Sequence, residues 1–195
     1  MRSPLLTPTA YFPPLAWCRA AAARPGWWWQ AAETYQKGGW RNRCRIATAN
    51  GPKLLSVPLE GGKHQQMPIR EVRISYRTDW VRVHEQTIRS AYGRSPYYEH
   101  FAEQITAPAR RRPPTLWELN TELMAVLTPL LGLPEPPEPL TEFVPPGSPG
   151  YDHPENIPAE YPLYPQVFSD RHGFTPGLSV LDALFCQGPT VLVGS

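Results

Sequence analysis

Three arginines alternate with an asparagine and a cysteine in Arg41-Asn42-Arg43-Cys44-Arg45, and Lys37 stands four residues before the first. Alternate residues of a strand share one face, about 6.6 Å apart. Arg41, Arg43 and Arg45 are therefore expected to form a ladder of planar guanidinium groups, each able to grip a phosphate or carboxylate through two parallel bonds. Tyr35, Gln36 and Lys37 extend the row towards an anionic ligand. The same ladder also suits an exposed sheet face neutralised by acids elsewhere in the chain. Asn42 and Cys44 point the opposite way, between Trp40 and Ile46, and belong on the buried face. A buried amide must be satisfied, so Asn42 either braces a turn or holds a substrate group. Cys44 is either a small buried residue or a nucleophile served by His84 or His172.

His84 falls on an apolar stripe with Trp80, Ile88 and Ala91. There it is either a satisfied core residue or a general base. Tyr92 closes the same helix, in a segment, Ser90-Ala91-Tyr92-Gly93-Arg94-Ser95, rich in polar groups. His172 lies in a tail loop, Asp170-Arg171-His172-Gly173-Phe174. Asp182 sits among Leu178, Leu181, Leu184 and Phe185, so its carboxylate turns towards an apolar face. Burying it unpaired is costly, and an arginine from the first half is the expected mate. The five histidines are scattered and the three cysteines form no CxxC. No metal and no cofactor are expected, and no disulfide framework.

The elements that must position these groups follow from periodicity. Pro13 and Pro14 open a short helix through Leu15 to Ala23, ended by Pro25-Gly26. Trp27-Trp28-Trp29 starts a strand. Arg41 to Ala47 is a second strand, and Asn50-Gly51, the strongest two-residue hairpin signal, turns it into a third at Leu54 to Val57. Val72, Ile74 and Tyr76 alternate as another. Asp79 caps a helix that ends at Gly93. Ser95-Pro96-Tyr97-Tyr98 opens a turn or short helix towards Ile105. Thr115-Leu116-Trp117-Glu118 is a capping box for a helix closed by Gly132 and Pro134. A short terminal helix runs from about Leu178 to Gln187.

Charge is divided along the chain. The first 112 residues carry 18 Lys/Arg and 7 Asp/Glu, whereas the remainder carries one basic residue and 10 acidic. The acidic half is a ready internal partner for whatever part of the basic surface a ligand leaves free. Thirteen of the 26 prolines lie between Pro129 and Pro176, which rules out a regular helix or central strand there. The expected architecture is α+β: a single mixed α/β domain with a mostly antiparallel sheet packed against helices, plus a Pro-rich C-terminal strap. Residues 1–133 form its core and 134–165 an acidic, polyproline-like strap that packs through its aromatics. Residues 166–195 return a short helix to the core. No signal peptide and no membrane-length apolar run is found, which points to a cytoplasmic protein without membrane insertion. A nucleic-acid role for the arginine run ranks lowest, because acidic segments repel phosphate and no such motif is present.

In order along the chain, a set of segments resembles the WbqC-like family nearly end to end. They are Thr9-Ala10-Tyr11-Phe12, Tyr35-Gln36-Lys37, Arg41 to Ile46, Leu54 to Pro58 and Val72-Arg73-Ile74. Trp80 to His84, Ser90-Ala91-Tyr92, Ser95 to Tyr98 and Leu119-Asn120 follow, then Tyr164-Pro165-Gln166, His172-Gly173-Phe174, Leu178 to Asp182 and Gly188-Pro189. The resemblance implies a bacterial protein of O-antigen or other surface-polysaccharide biosynthesis that transfers an acyl or aminoacyl group, such as glycine, to a nucleotide-activated sugar. Its partners would be a phosphate-bearing small molecule and polysaccharide-biosynthesis enzymes, not nucleic acid. In that scheme Lys37, Arg41 and Arg43, beside Tyr35 and Gln36, hold phosphate. Asn42 and Tyr92 orient the sugar, His84 is the base, and His172 or Asp182 completes the site. The rival is a non-catalytic binding or scaffold protein for a polysaccharide-assembly enzyme.

Overall fold

The computed structural model describes residues 3–61, 67–135, 139–145, 147–149 and 163–192. Helices dominate, and two separate two-stranded ladders complete an α+β architecture. The first ladder joins β1 (Leu5–Thr7) to β2 (Trp27–Trp29) in parallel, with α1 (Leu15–Ala22) as the crossover. Trp27 meets Trp17 and Trp29 edge-on over this unit while Trp17 and Trp29 lie near-parallel, and the Trp17 indole N–H donates to Thr7 Oγ1 at 2.7 Å.

The second ladder is the hairpin of β3 (Arg43–Ile46) and β4 (Lys53–Ser56), antiparallel, with Arg43 opposite Ser56 and Ile46 opposite Lys53. Gly51 takes φ +96° in its turn, a conformation that glycine adopts without steric cost. Cys44, Ile46 and Leu55 are buried while Arg43 and Arg45 stay half-buried, the period-two alternation expected of the sequence.

A single mostly antiparallel sheet does not form. The Val72–Tyr76 segment is extended but divides its bonds between two neighbours. Ser75 N donates to Pro58 O on one side and Ile74 N to Pro114 O on the other, so no continuous ladder develops. Only isolated bridges remain, Leu59 with Ile74 and Arg73 with Thr115.

α2 (Trp80–Tyr92) buries Trp80, His84, Ile88, Ala91 and Tyr92. Asp79 precedes it, but its carboxylate accepts from Arg82 Nε at 3.0 Å and makes no cap bond. α3 (Tyr98–Arg110) runs well past Ile105 and carries Pro108 in its last turn. α4 (Leu116–Leu131) begins as expected, Thr115 Oγ1 accepting from Glu118 N at 3.2 Å, and ends at Gly132 in the left-handed region. Its stripe of Leu116, Leu119, Leu123, Leu127 and Leu131 is fully buried.

The tail folds back as α5 (Ser169–His172), a single turn, and α6 (Val180–Gln187), capped by Ser179 Oγ. It is stitched to the front of the chain by main-chain bonds. Leu15 N donates to Leu178 O, Val180 N to Pro13 O and Ser179 N to Arg45 O at 2.7 Å. Most of the Pro-rich strap, including Tyr151 and Tyr161, lies outside the described residues. What is described adds to the edge of β2: Leu140 N donates to Trp29 O and Ala31 N to Leu140 O, both at 3.0 Å. Tyr164 is buried and Phe168 packs on the core, whereas Phe143 is exposed. No helix among the described residues is long and apolar enough to cross a membrane.

Candidate functional site

Arg41 lies in the loop that leads into β3, and its guanidinium is committed. Nε donates to Glu33 Oε2 at 3.0 Å and Nη2 donates to the same oxygen. Both side chains are nearly buried, at 12% and 6% exposure, so this is an interior ion pair and not a free anion grip. Burial pushes the Glu33 carboxyl up while Arg41 and the Thr9 backbone pull it back. The main-chain carbonyl of Arg41 accepts from Asn120 Nδ2 at 2.8 Å, which ties the loop to α4. Asn42 is buried and braced: Oδ1 accepts from Tyr35 Oη at 3.0 Å and Nδ2 donates to Val57 O at 2.9 Å. Gln36 and Lys37 are exposed beside this centre. Arg45 Nη1 leans on Pro176 O at 3.4 Å.

His84 sits behind the hairpin. Its Nδ1 is 2.9 Å from Tyr11 Oη, and the Ser56 backbone hydrogen-bonds the ring. With a main-chain acceptor taking the ring N–H, Nδ1 accepts the Tyr11 proton and the ring is neutral. Burial lowers its pKa to about 4. Cys44 is fully buried, and burial raises its thiol well above the ordinary range, which disfavours a thiolate nucleophile.

Asp182 is fully buried and meets two tyrosines, not an arginine. Oδ1 accepts from Tyr92 Oη and Oδ2 from Tyr164 Oη, each at 2.8 Å. Tyr92 Oη in turn accepts from Ala47 N at 3.0 Å. Desolvation raises the Asp182 carboxyl, and the hydroxyls and Gln166 oppose it. Neutral donors satisfy both oxygens without a second buried charge, and the carboxylate belongs to the first turn of α6, where the helix dipole favours it.

An open cavity of about 540 Å³ lies between the hairpin turn and α2. Thr48, Asn50 and Lys53 line it from the hairpin, and Gln86, Thr87 and Ser90 from the helix. Lys53 stands opposite Ile46, on the inward face of the hairpin, whereas Arg43 and Arg45 project from the outward face. His172 does not line the cavity but bonds to a residue that does, Nε2 donating to the carbonyl of Ala49 at 3.0 Å.

The expected site residues thus divide into separate sets. Tyr35, Arg41 and Asn42 share one polar centre, His84 pairs with Tyr11, Tyr92 joins Asp182, and His172 bonds to Ala49. Glu33, Thr9, Asn120 and Lys53 were not singled out as site residues. The signal for Glu33 was available: it is one of only 7 acids in the basic first 112 residues. Within the basic half, ion pairs join Arg41 to Glu33, Arg73 to Glu60, Arg82 to Asp79 and Arg110 to Glu85 and Glu103, while Arg111–Glu122 joins the two halves.

The model of the WbqC-like protein family matches residues 9–146. The uncharacterized protein Rv1507c of Mycobacterium tuberculosis (strain H37Rv) is 32% identical over 103 residues, covering 51% of this chain and 43% of that relative. The match therefore spans less than half the length of the relative. No solved structure matches the chain.

Proposed function

The chain belongs to the WbqC-like protein family, and from that premise we propose that it binds a nucleotide-activated sugar and transfers an acyl or aminoacyl group to it in surface-polysaccharide biosynthesis. The observation that carries this reading is the open cavity between the hairpin turn and α2. Its size suits a small ligand, and its lining combines neutral hydrogen-bonding groups with one lysine. Hydroxyls and amides such as Thr48, Asn50, Gln86 and Ser90 suit a hydroxyl-rich sugar, and Lys53 supplies a point charge for phosphate. His172, exposed and bonded through Nε2 to the cavity-lining Ala49, would serve a bound ligand as proton carrier through its other ring nitrogen.

A specific observation favours the second reading, a binding protein without turnover. The groups expected to catalyse are engaged: His84 with Tyr11 and Ser56, Asp182 with Tyr92 and Tyr164, and His172 Nε2 with the Ala49 carbonyl. Calorimetry with a panel of nucleotide sugars separates the cases. Binding that Lys53→Ala weakens supports the cavity, and transfer of a labelled acyl group that His172→Ala abolishes supports catalysis. Binding without transfer from any acyl or aminoacyl donor supports the second reading. No binding by any sugar nucleotide overturns the transferase reading and favours a scaffold protein for a polysaccharide-assembly enzyme.

A further inference from the structure

Even-numbered residues of the segment 42–48 face β4. Thr48 and Gly51 exchange main-chain bonds and Val57 N donates to Asn42 O, so Asn42, Cys44, Ile46 and Thr48 make the bonded pairs of the ladder. The main-chain groups of Arg45, Ala47 and Ala49 therefore point along the outer edge, which no strand covers among the described residues. Each is met by another partner. Ser179 N donates to Arg45 O at 2.7 Å, Ala47 N to Tyr92 Oη at 3.0 Å and His172 Nε2 to Ala49 O at 3.0 Å. The Tyr92 contact differs from the others in what it joins. Tyr92 directly follows Ser90 and Ala91, which line the hairpin cavity from α2, and Ala47 directly precedes Thr48 and Ala49, which line it from the hairpin. One hydroxyl thus ties the two walls together. Asp182 sets its direction: the carboxylate takes the hydroxyl proton at 2.8 Å, which leaves the tyrosine oxygen to accept from Ala47 N. Tyr92, Asp182 and Ala47 are all buried, so water does not compete for these bonds.

We propose that Tyr92 is a positioning residue for the hairpin cavity: its hydroxyl, aimed by Asp182, sets how far the turn stands from α2 and so the shape of the ligand site. The inference rests on the reading that this cavity binds a nucleotide sugar. Tyr92 is enclosed and acts through Ala47, not by touching ligand. A wall displaced by about 1 Å misaligns several ligand bonds at once. Tyr164 supplies the control. Its hydroxyl donates to the other oxygen of the same carboxylate at 2.8 Å, and among the described residues it has no hydrogen bond to the hairpin. Tyr92→Phe and Tyr164→Phe each remove one hydroxyl from Asp182, and the first keeps the ring contact with Phe185. Only the first leaves Ala47 N without its acceptor.

The test compares the two variants in the full chain by two readouts. Calorimetry with the tightest-binding member of the nucleotide-sugar panel reads the site. Amide hydrogen exchange at Gly51, whose N–H donates to Thr48 O, reads the turn, and Ala31, bonded to Leu140 O beside the other ladder, serves as the internal reference for overall stability. Tyr92→Phe is expected to weaken binding at least about tenfold and to speed Gly51 exchange relative to Ala31 by a similar factor. Tyr164→Phe should change either by less than about twofold. Equal effects of the two variants, or none from Tyr92→Phe, would overturn the proposal. Should Tyr92→Phe not fold, the unaltered chain decides: bound nucleotide sugar should slow Ala47 exchange at least about fivefold more than Ala31 exchange, and equal slowing overturns the proposal. If no sugar nucleotide binds, the transferase reading falls by itself, and the Gly51 comparison still decides whether Tyr92 sets the turn.

Discussion

Tyr92 and Asp182, 90 residues apart in the chain, meet at 2.8 Å in the core, where the tyrosine hydroxyl donates to one carboxylate oxygen while accepting from Ala47 N. Removing that hydroxyl strands an acceptor and a donor together. Tyr92→Phe is expected to cost about 1–3 kcal/mol, read from the urea midpoint. Asp182→Asn should behave differently. The folded-state carboxyl titrates above its unfolded value, so the natural chain loses stability as pH rises between the two. The asparagine variant lacks this loss, and the difference in its favour should grow with pH and then level off.

His84 gives a slope of opposite sign. Its pKa falls from 6.5 to about 4 on folding. Above the unfolded value neither state binds the proton and the ring contributes nothing. As pH falls from there to about 4, the unfolded chain takes up a proton that the folded one refuses, and stability declines by about 3 kcal/mol in all. His84→Gln, which can still accept from Tyr11 and donate to Ser56, should lack that decline when urea unfolding is repeated across the range.

Arg41→Ala should damage the fold before it damages any binding. It leaves Glu33 buried without its cation, at a cost of about 3–5 kcal/mol. The double variant Glu33→Leu with Arg41→Met should recover most of this in denaturation experiments. Failure to recover would mean that the Arg41 guanidinium has work beyond its partner.

Ser90 lines the cavity from an exposed position on α2. Ser90→Trp is expected to fill the space with a stability change within about 0.5 kcal/mol. Calorimetry should show nucleotide-sugar binding weakened at least about tenfold.

Local signals in the sequence translated well. The Thr115 cap, the Gly132 stop and the alternation of Arg43, Cys44 and Arg45 depend on neighbours a few residues away, and each appears as expected; the hairpin also forms, but one residue early, Thr48 and Gly51 exchanging main-chain bonds around Ala49-Asn50. β1 is not legible in the sequence, because three residues between Pro4 and Pro8 carry too short a pattern, and only pairing with β2 makes them a strand. Val72–Tyr76 has strand periodicity, but two flanking segments compete for its backbone. The site was less legible for a related reason. Residue type announced that Asn42 and Asp182 needed partners, but not which partners. Tyr35 and Val57 serve one, Tyr92 and Tyr164 the other, and those assignments are made by the tertiary fold.

The seam between the front of the chain and Leu178–Val180 bears on how the protein can be cut. The family match ends at residue 146, yet Val180, Leu181, Asp182, Leu184 and Phe185 are fully enclosed by what precedes them. A fragment that stops at that boundary would lay open a broad oily surface and leave Leu15 N and the Arg45 carbonyl without their mates. Such a fragment should aggregate on expression, and adding the missing C-terminal piece as a separate peptide should restore a soluble, protease-resistant body.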